Sequence, residues 1–276
     1  MPIELHCHST ASDGDCSPTE LVERALSVGL TTLAITDHDT VEGLAEAFEA
    51  AQGFSLRMIS GVELSCHYED GEVHLLGYLF EHRDPDFLEL LDRLKSERRN
   101  RVRHILHKLS ELGIELSYED VQAQVSGDAV GRPHVAKALV AAGHVGSFSQ
   151  AFDKYIGNSG PAYVGRDHLS LEDGIEAIRR AGGVSVLAHP GVYKDWPKIE
   201  RAMKLPLHGV EAWHPSHKKA ERKRAKKLGG RYNKIITGGS DFHGPRADFH
   251  ELGSAPVTEG VVTKLINAVA KERTGV

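Results

Sequence analysis

Two histidines one residue apart, His6 and His8 in "HCHSTASDGD", are the first residues that could do chemistry. In an extended strand alternate side chains share a face, so the two imidazoles project together while Cys7 points away. The small polar loop that follows, Ser9 to Gly14, can bend Asp13 back over the same strand end. Two imidazoles and a carboxylate at one point suit a divalent metal ion. A His-x-His pair is also common on a solvated strand face, so the rest of the chain has to decide.

Metal-capable side chains recur at or just after the ends of apolar runs: Asp37 and His38, Glu63, His189, and Asp241 with His243. His74 stands instead near the start of "VHLLGYLF", which suggests that this strand runs the other way. The C-terminal strand ends of α/β barrels converge on one face. Imidazole and carboxylate without thiolate suit zinc, manganese, iron or nickel in a hydrolytic site better than a structural zinc knot. Cys7 and Cys66 read as core fillers.

The elements that must position these residues follow from periodicity. "PIEL", "TTLAIT", "LRMIS", "VHLLGYLF", "GVSVLA", "HGVEAW" and "KIITGG" read as strands. Amphipathic helical patterns lie between several of them: "SPTELVERALSVG", "TVEGLAEAFEAAQG", "SLEDGIEAIRRAGG" and "PSHKKAERKRAKKLGG". Repeated β then α argues for a barrel or an open parallel sheet. From Asp84 to about Gly160 the rhythm breaks into helical patterns with no convincing strand. The expected organisation is a barrel over residues 1–98 and 161–276 with a helical insertion, 99–160, that sets substrate specificity.

With 276 residues the chain can bury a full-sized core, and 40% hydrophobic with 26% charged residues is ordinary for a folded globular protein. A formal charge of −6 argues against a protein built mainly to coat nucleic acid. Three cysteines without a CxxC pair make no disulfide framework. The N-terminus enters "PIELHCH" without a basic and apolar leader, and no run approaches transmembrane length, so a cytoplasmic location is expected, with neither a membrane nor an obligate protein partner.

In their order, "HCHSTASDG", "TDHDT", "GVELS", "VHLLGY", "LAHP" and "GSDFHG" resemble the motifs of the polymerase and histidinol phosphatase (PHP) family over residues 3–83 and 182–246. The resemblance implies a metal-dependent phosphoesterase with an α/β fold, a distorted (β/α)7 barrel, carrying a trinuclear centre. It implies that His6, His8, Glu63 and Asp241 hold one ion, that Glu63, His74 and His189 hold a second, and that Asp13, His38 and His243 hold the third. Glu63 would bridge the first two. Asp37 and Asp39 are left to supporting or turn-forming roles. The cofactor expected is three divalent ions, manganese first, with iron or zinc as alternatives. Three such ions against Asp13, Glu63 and Asp241 leave a strongly positive pocket that attracts phosphate esters. The catalytic candidates are His189, His243 and Asp241; if both histidines are ligands neither is free as the general acid, and that role stays open.

The substrate candidates lie around "GRPH" and "HPSH". Arg132 and His134 open a helix after Gly131, where backbone amides and a guanidinium can share an anion. Arg99, Asn100, Ser216 and His217 are expected to complete a second phosphate clamp. Taken alone, Arg98, Arg99, Arg101 and Arg103 read as a solvated helix face, and Lys218 to Lys227 as a surface helix. Within the family, "ASDG", "GRPH" and "HPSH" resemble the phosphatases that remove the 3′-phosphate of nucleoside 3′,5′-bisphosphates, whose relatives trim short RNA from the 5′ end. The expected partner is therefore a small nucleotide or a short RNA. Histidinol phosphate fits less well, because the basic insertion offers little for its amine.

Overall fold

The seven strands expected from the sequence all form, and they lie in one sheet in chain order. In the computed structural model, which describes residues 2–125, 130–165, 169–245 and 251–274, the strands are β1 (Ile3–Glu4), β2 (Thr32–Ile35), β3 (Arg57–Tyr68), β4 (Gly71–Tyr78), β5 (Val184–Leu187), β6 (Gly209–Trp213) and β7 (Ile235–Gly238). β1, β2 and β3 pair in parallel, as do β5, β6 and β7. β4 is antiparallel to both neighbours, which is why His74 reaches the site from near its strand's start. A parallel bridge between Cys7 and Phe242, with the His8 N–H donating to the Phe242 carbonyl at 2.8 Å, brings the two edges of the sheet together. The architecture is the expected distorted barrel, nearly closed.

Helices α1 (Pro18–Ser27) and α2 (Glu42–Ala50) cover the first strands, α7 (Leu171–Arg180) and α8 (Trp196–Ala202) flank β5, α9 (Lys219–Arg231) joins β6 to β7, and α10 (Glu259–Thr274) ends the described chain. α1 starts where its sequence says it should: Ser17 accepts the Glu20 N–H, Glu20 returns the bond, and Pro18 occupies the first turn. The sequence analysis did not assign α8, which is seven residues long, or α10.

Between β4 and α7 lie α3 (Pro85–Glu111), α4 (Tyr118–Gln122), α5 (Arg132–Ala141), α6 (Phe148–Ala151) and a π-helical turn, Phe152–Ile156, so the expected boundary at residue 99 falls inside α3. α3 serves two cores. Its first half packs Phe87, Leu91 and Leu94 against the barrel. Its second half gives Val102, Ile105, Leu106 and Leu109 to a separate cluster with Val121, Val135, Leu139 and Ile156. The arginines of this helix correct one expectation: Arg98 and Arg101 are 7% and 6% exposed, not solvated. Arg98 Nε donates to Asp39 Oδ2 at 2.5 Å and Nη2 to Ser65 Oγ at 3.1 Å, so the guanidinium ties the insertion to the barrel. The signal was present, since Arg98 and Arg101 share a helical face with Leu91, Leu94 and Ile105.

Candidate metal centre

The barrel mouth brings all nine expected ligands together around Glu63, which stands not at a strand end, as expected, but in the middle of β3, which continues past it to Tyr68 to pair with β4; Glu63 is 1% exposed. Each of its oxygens faces a different set of imidazoles. Oε1 lies 2.8 Å from His74 Nδ1 and 2.9 Å from His189 Nε2. Oε2 lies 3.2 Å from both His6 Nε2 and His8 Nε2 and 3.3 Å from His38 Nδ1. Asp241 Oδ1 lies 3.3 Å from His6 Nε2 and 3.1 Å from His8 Nε2. Asp13 joins from its loop, 3.4 Å from His243 Nε2 and 3.8 Å from both His38 Nε2 and His8 Nδ1.

These contacts have the spacing of a ligand set more than of paired hydrogen bonds. Among the described residues His8 Nδ1 and Nε2, His38 Nδ1 and His189 Nδ1 are buried without a hydrogen-bond partner, although carboxylate oxygens stand within 4 Å of three of them. Tetrahedral ligands about 2.0–2.1 Å from an ion lie about 3.3 Å apart. The four imidazole-to-carboxylate separations among His6, His8, Glu63 and Asp241 are 3.1 to 3.3 Å. Ligand atoms of His8, Asp13, His38 and His243 also lie within 4.8 Å of one another, as do those of His38, Glu63 and His74. Imidazole nitrogens and carboxylate oxygens in this arrangement fit divalent transition metals.

An outer layer holds the inner one in place. Glu4, fully buried, accepts backbone N–H bonds from Leu5, His6, Ser240 and Gly253, joining the β1 end to the β7 end. Gly239 lets the two ends touch, because a Cβ there would meet His6 Cβ at 2.2 Å. Asp37 accepts from Ser9 Oγ and Ser12 Oγ at 2.6 Å each and fastens the loop that carries Asp13. Three residues in or beside the site take left-handed backbone angles, Asp39 (φ 52°), His189 (φ 24°) and Asp241 (φ 50°), a strain of about 1–3 kcal/mol each that the packing must offset.

Two contributors escaped the sequence reading. Glu211 Oε1 takes the His6 Nδ1–H at 3.0 Å, and Oε2 accepts the His189 N–H at 2.9 Å. That bond fixes the tautomer of His6 and turns its Nε2 lone pair inward. His214 Nδ1 accepts the Ser216 N–H at 3.2 Å, so Nε2 carries the hydrogen and donates to Asp241 Oδ2 at 3.2 Å. Both residues stand in the β6 end, "EAWHPSH", where a strand-end carboxylate and histidine repeat the pattern found elsewhere.

Charge is shared across the cluster. Burial works against ionisation of Glu63, Asp13 and Asp241, yet the surrounding imidazoles hold all three well below the usual carboxylate range. Burial likewise opposes protonation of His8 and His74, but Asp241 and Glu63 push His8 up to about 10, and Glu63 pushes His74 up to about 9. His38, where burial wins, falls to about 3.

The substrate candidates divide. Arg132 Nη2 and Arg101 Nη2 both reach Glu72 Oε2 at 3.3 Å, Arg132 Nη1 meets Asn158 Oδ1 at 2.9 Å, and Glu72 Oε1 stands 3.6 Å from His74 Nε2. His134 is buried, and that burial lowers it to about 4; its Nδ1 accepts the Gly131 N–H at 3.1 Å, leaving Nε2–H as a neutral donor. Arg99 is half-buried and Asn100 is exposed, accepting from Arg103 at 3.4 Å. Ser216 is exposed. His217 departs from expectation: Nδ1 donates to the Ala212 carbonyl at 3.0 Å and Nε2 accepts the Gly191 N–H at 2.9 Å, so its ring has no nitrogen left for phosphate.

Residues 4–160 match the PHP domain. The chain belongs to the PHP family. This PHP protein is 36% identical over 255 residues to a 5′-3′ exoribonuclease of Haemophilus influenzae, covering 91% of this chain and 92% of that one. It is 32% identical over 257 residues to a 3′,5′-nucleoside bisphosphate phosphatase of Chromobacterium violaceum, covering 91% and 90%. A crystal structure of a metal-dependent phosphoesterase from Bifidobacterium adolescentis superposes with a TM-score of 0.87 at 31% identity over 97% of both chains. The PHP barrel described above is therefore that of a metal-dependent phosphoesterase. Among the described residues no helix is long and apolar enough to cross a membrane.

Proposed function

We propose that the site hydrolyses the phosphate ester at the 3′-oxygen of a nucleotide that also carries a 5′-phosphate, with nucleoside 3′,5′-bisphosphates as substrate and the nucleoside 5′-phosphate and inorganic phosphate as products. The observation that carries this reading is the juxtaposition of two anion-seeking regions: the cluster around Glu63, and the Arg101–Arg132 pair that touches it through Glu72 and His74.

In this reading His6, His8, Glu63 and Asp241 hold one divalent ion, Glu63, His74 and His189 a second, and Asp13, His38 and His243 a third. Bound divalent ions supply Lewis-acid polarisation of the phosphate and make a water acidic enough to ionise near neutral pH. The protein's own residues do the rest. Glu211 keeps the His6 Nε2 lone pair directed into the site, and His214 keeps Asp241 Oδ1 turned toward His6 and His8 by occupying Oδ2. Arg132 and the His134 Nε2–H bind the phosphate that is retained, a charge-assisted contact and a neutral one. The insertion, residues 99–160, is the specificity element, and the barrel supplies the chemistry.

A second reading, 5′-3′ cleavage of short RNA, involves the same bond, because the phosphorus at the 3′-oxygen then carries the next nucleoside. The 36% identity to an exoribonuclease supports it. Phosphate release from adenosine 3′,5′-bisphosphate, AMP, 3′-AMP and histidinol phosphate, together with release of nucleoside 5′-phosphates from a 5′-phosphorylated RNA tetramer, each with Mn²⁺ and with EDTA, tests both. The bisphosphate should be the best of the small substrates. Equal rates on AMP and on the bisphosphate would overturn the first reading.

A further inference from the structure

The surface outside the site that stands furthest from the chain's average is α9. From Lys218 to Arg231 eight basic side chains face one carboxylate, Glu221, a formal +7 in a chain whose total is −6. Glu221 itself is turned back, accepting the Lys218 N–H at the helix start. Lys219, Lys223 and Lys227 follow one another at four-residue spacing, so they form one row along the helix, and all three are exposed. Among the described residues none of the three has an acidic partner. Other cations of the helix lie over aromatic rings on either side of this row: half-buried Arg222 and Lys226 lie 5.7 and 3.5 Å from the Trp213 ring centre, and exposed Arg224 lies 5.0 Å from that of Trp196. These are the only two tryptophans in the chain. Like charges four residues apart destabilise a helix, and cations at its N-terminal end oppose its dipole, so the row works against the fold that carries it. An anionic partner along the row reverses both penalties.

The position of the row identifies that partner. α9 starts five residues beyond His214, whose Nε2 meets Asp241, and Arg222 Nη2 donates to the His214 carbonyl at 3.3 Å. The thirteen residues of α9 run about 20 Å from the site rim down the barrel wall, and the row from Lys219 to Lys227 covers about 12 Å of that length. We infer that α9 is a docking track for the phosphate backbone of single-stranded RNA whose 5′ end lies at the site. This rests on the nucleotide reading of the site and adds to it a surface that a mononucleotide does not use.

The test compares the intact wild-type chain with Lys219→Gln/Lys223→Gln/Lys227→Gln, whose fold is checked by circular dichroism and melting. Binding of a fluorescein-labelled 5′-phosphorylated RNA decamer is read by anisotropy in EDTA from 0.05 to 0.5 M salt, and turnover of adenosine 3′,5′-bisphosphate is read with Mn²⁺. Removing three phosphate contacts should flatten the log–log salt slope by about 2 and weaken binding about 100-fold at 0.1 M salt. Bisphosphate turnover should stay within about twofold, because no group in the site changes. RNA binding and salt slope equal to wild type would overturn the track while leaving the nucleotide reading intact. A wild-type chain that turns over no nucleotide but binds RNA through these lysines would sink that reading and keep the track. Binding of the wild-type chain to vesicles containing phosphatidylserine, lost in the variant while RNA binding is unchanged, would assign the row to a membrane surface and overturn the proposal.

Discussion

His6 and Glu211 are joined across the barrel by a 3.0 Å bond from imidazole Nδ1 to carboxylate Oε1, and neither side chain is exposed at all. The bond fixes which nitrogen of His6 is left for a metal. Glu211→Gln should keep the fold and weaken metal binding about 10–100-fold, read by competition with a fluorescent chelator. Unchanged affinity would mean that the ring is held by packing alone.

Glu63 offers a different oxygen to each half of the cluster. Glu63→Gln should therefore lower bound metal by more than about one ion per chain, whereas His243→Asn should cost at most about one. Elemental analysis after reconstitution with Mn²⁺ decides. Equal losses from the two variants would count against a bridge.

Arg132→Ala should lower kcat/KM for a nucleoside 3′,5′-bisphosphate by about 10–100-fold, the worth of a guanidinium–phosphate contact. A 3′-monophosphate, with no second phosphate to hold, should be nearly unaffected. Parallel loss on both substrates would place Arg132 in folding, through Glu72 and Asn158, not in recognition.

Metal uptake should release protons. His8 and His74, raised to about 10 and about 9 by Asp241 and Glu63, are protonated at pH 7 and must lose that proton to bind an ion. Affinity should then rise with pH from 6 toward 9. His38, held near 3, has no proton to give. Calorimetric titration with Mn²⁺ at pH 7 in two buffers of different ionisation enthalpy measures the release directly; heats independent of buffer would refute it.

Gly239→Ala should destabilise the chain by about 1–3 kcal/mol, seen as a lower Tm, because the added methyl overlaps His6 Cβ. Metal content should fall with it, since the same overlap pushes His6 out of line. A variant with wild-type Tm and full metal loading would show that the strand end can shift without cost.

Much of this site is legible in the sequence because strand ends are where short apolar runs stop, and His6, His189 and Asp241 each stand at such a stop, whereas Glu63 lies inside β3, which continues past it to Tyr68. Even the reversed direction of β4 was visible in the offset of His74. What stayed hidden was contact between residues distant in sequence. Glu211 looked like part of an ordinary strand until β6 placed it beneath His6, and His217 looked like a site residue until its two nitrogens were found bound to backbone. The helical face shows that Arg98 and Arg101 are buried, but not their partners, since Asp39 lies in the turn after β2 and Glu72 on β4.

α3 is one uninterrupted helix of 27 residues, rooted in the barrel core at Phe87 and in the insertion core at Leu109. It acts as a keyed shaft between the two. Adding or removing a single residue between Arg98 and Arg101 would turn everything beyond it by about 100° and shift it by about 1.5 Å. Arg132 and His134 would then swing away from the metals although no residue of either core had changed. Anyone exchanging this insertion for another, to move the enzyme from one phosphate ester to the next, must therefore preserve helical phase before preserving any side chain.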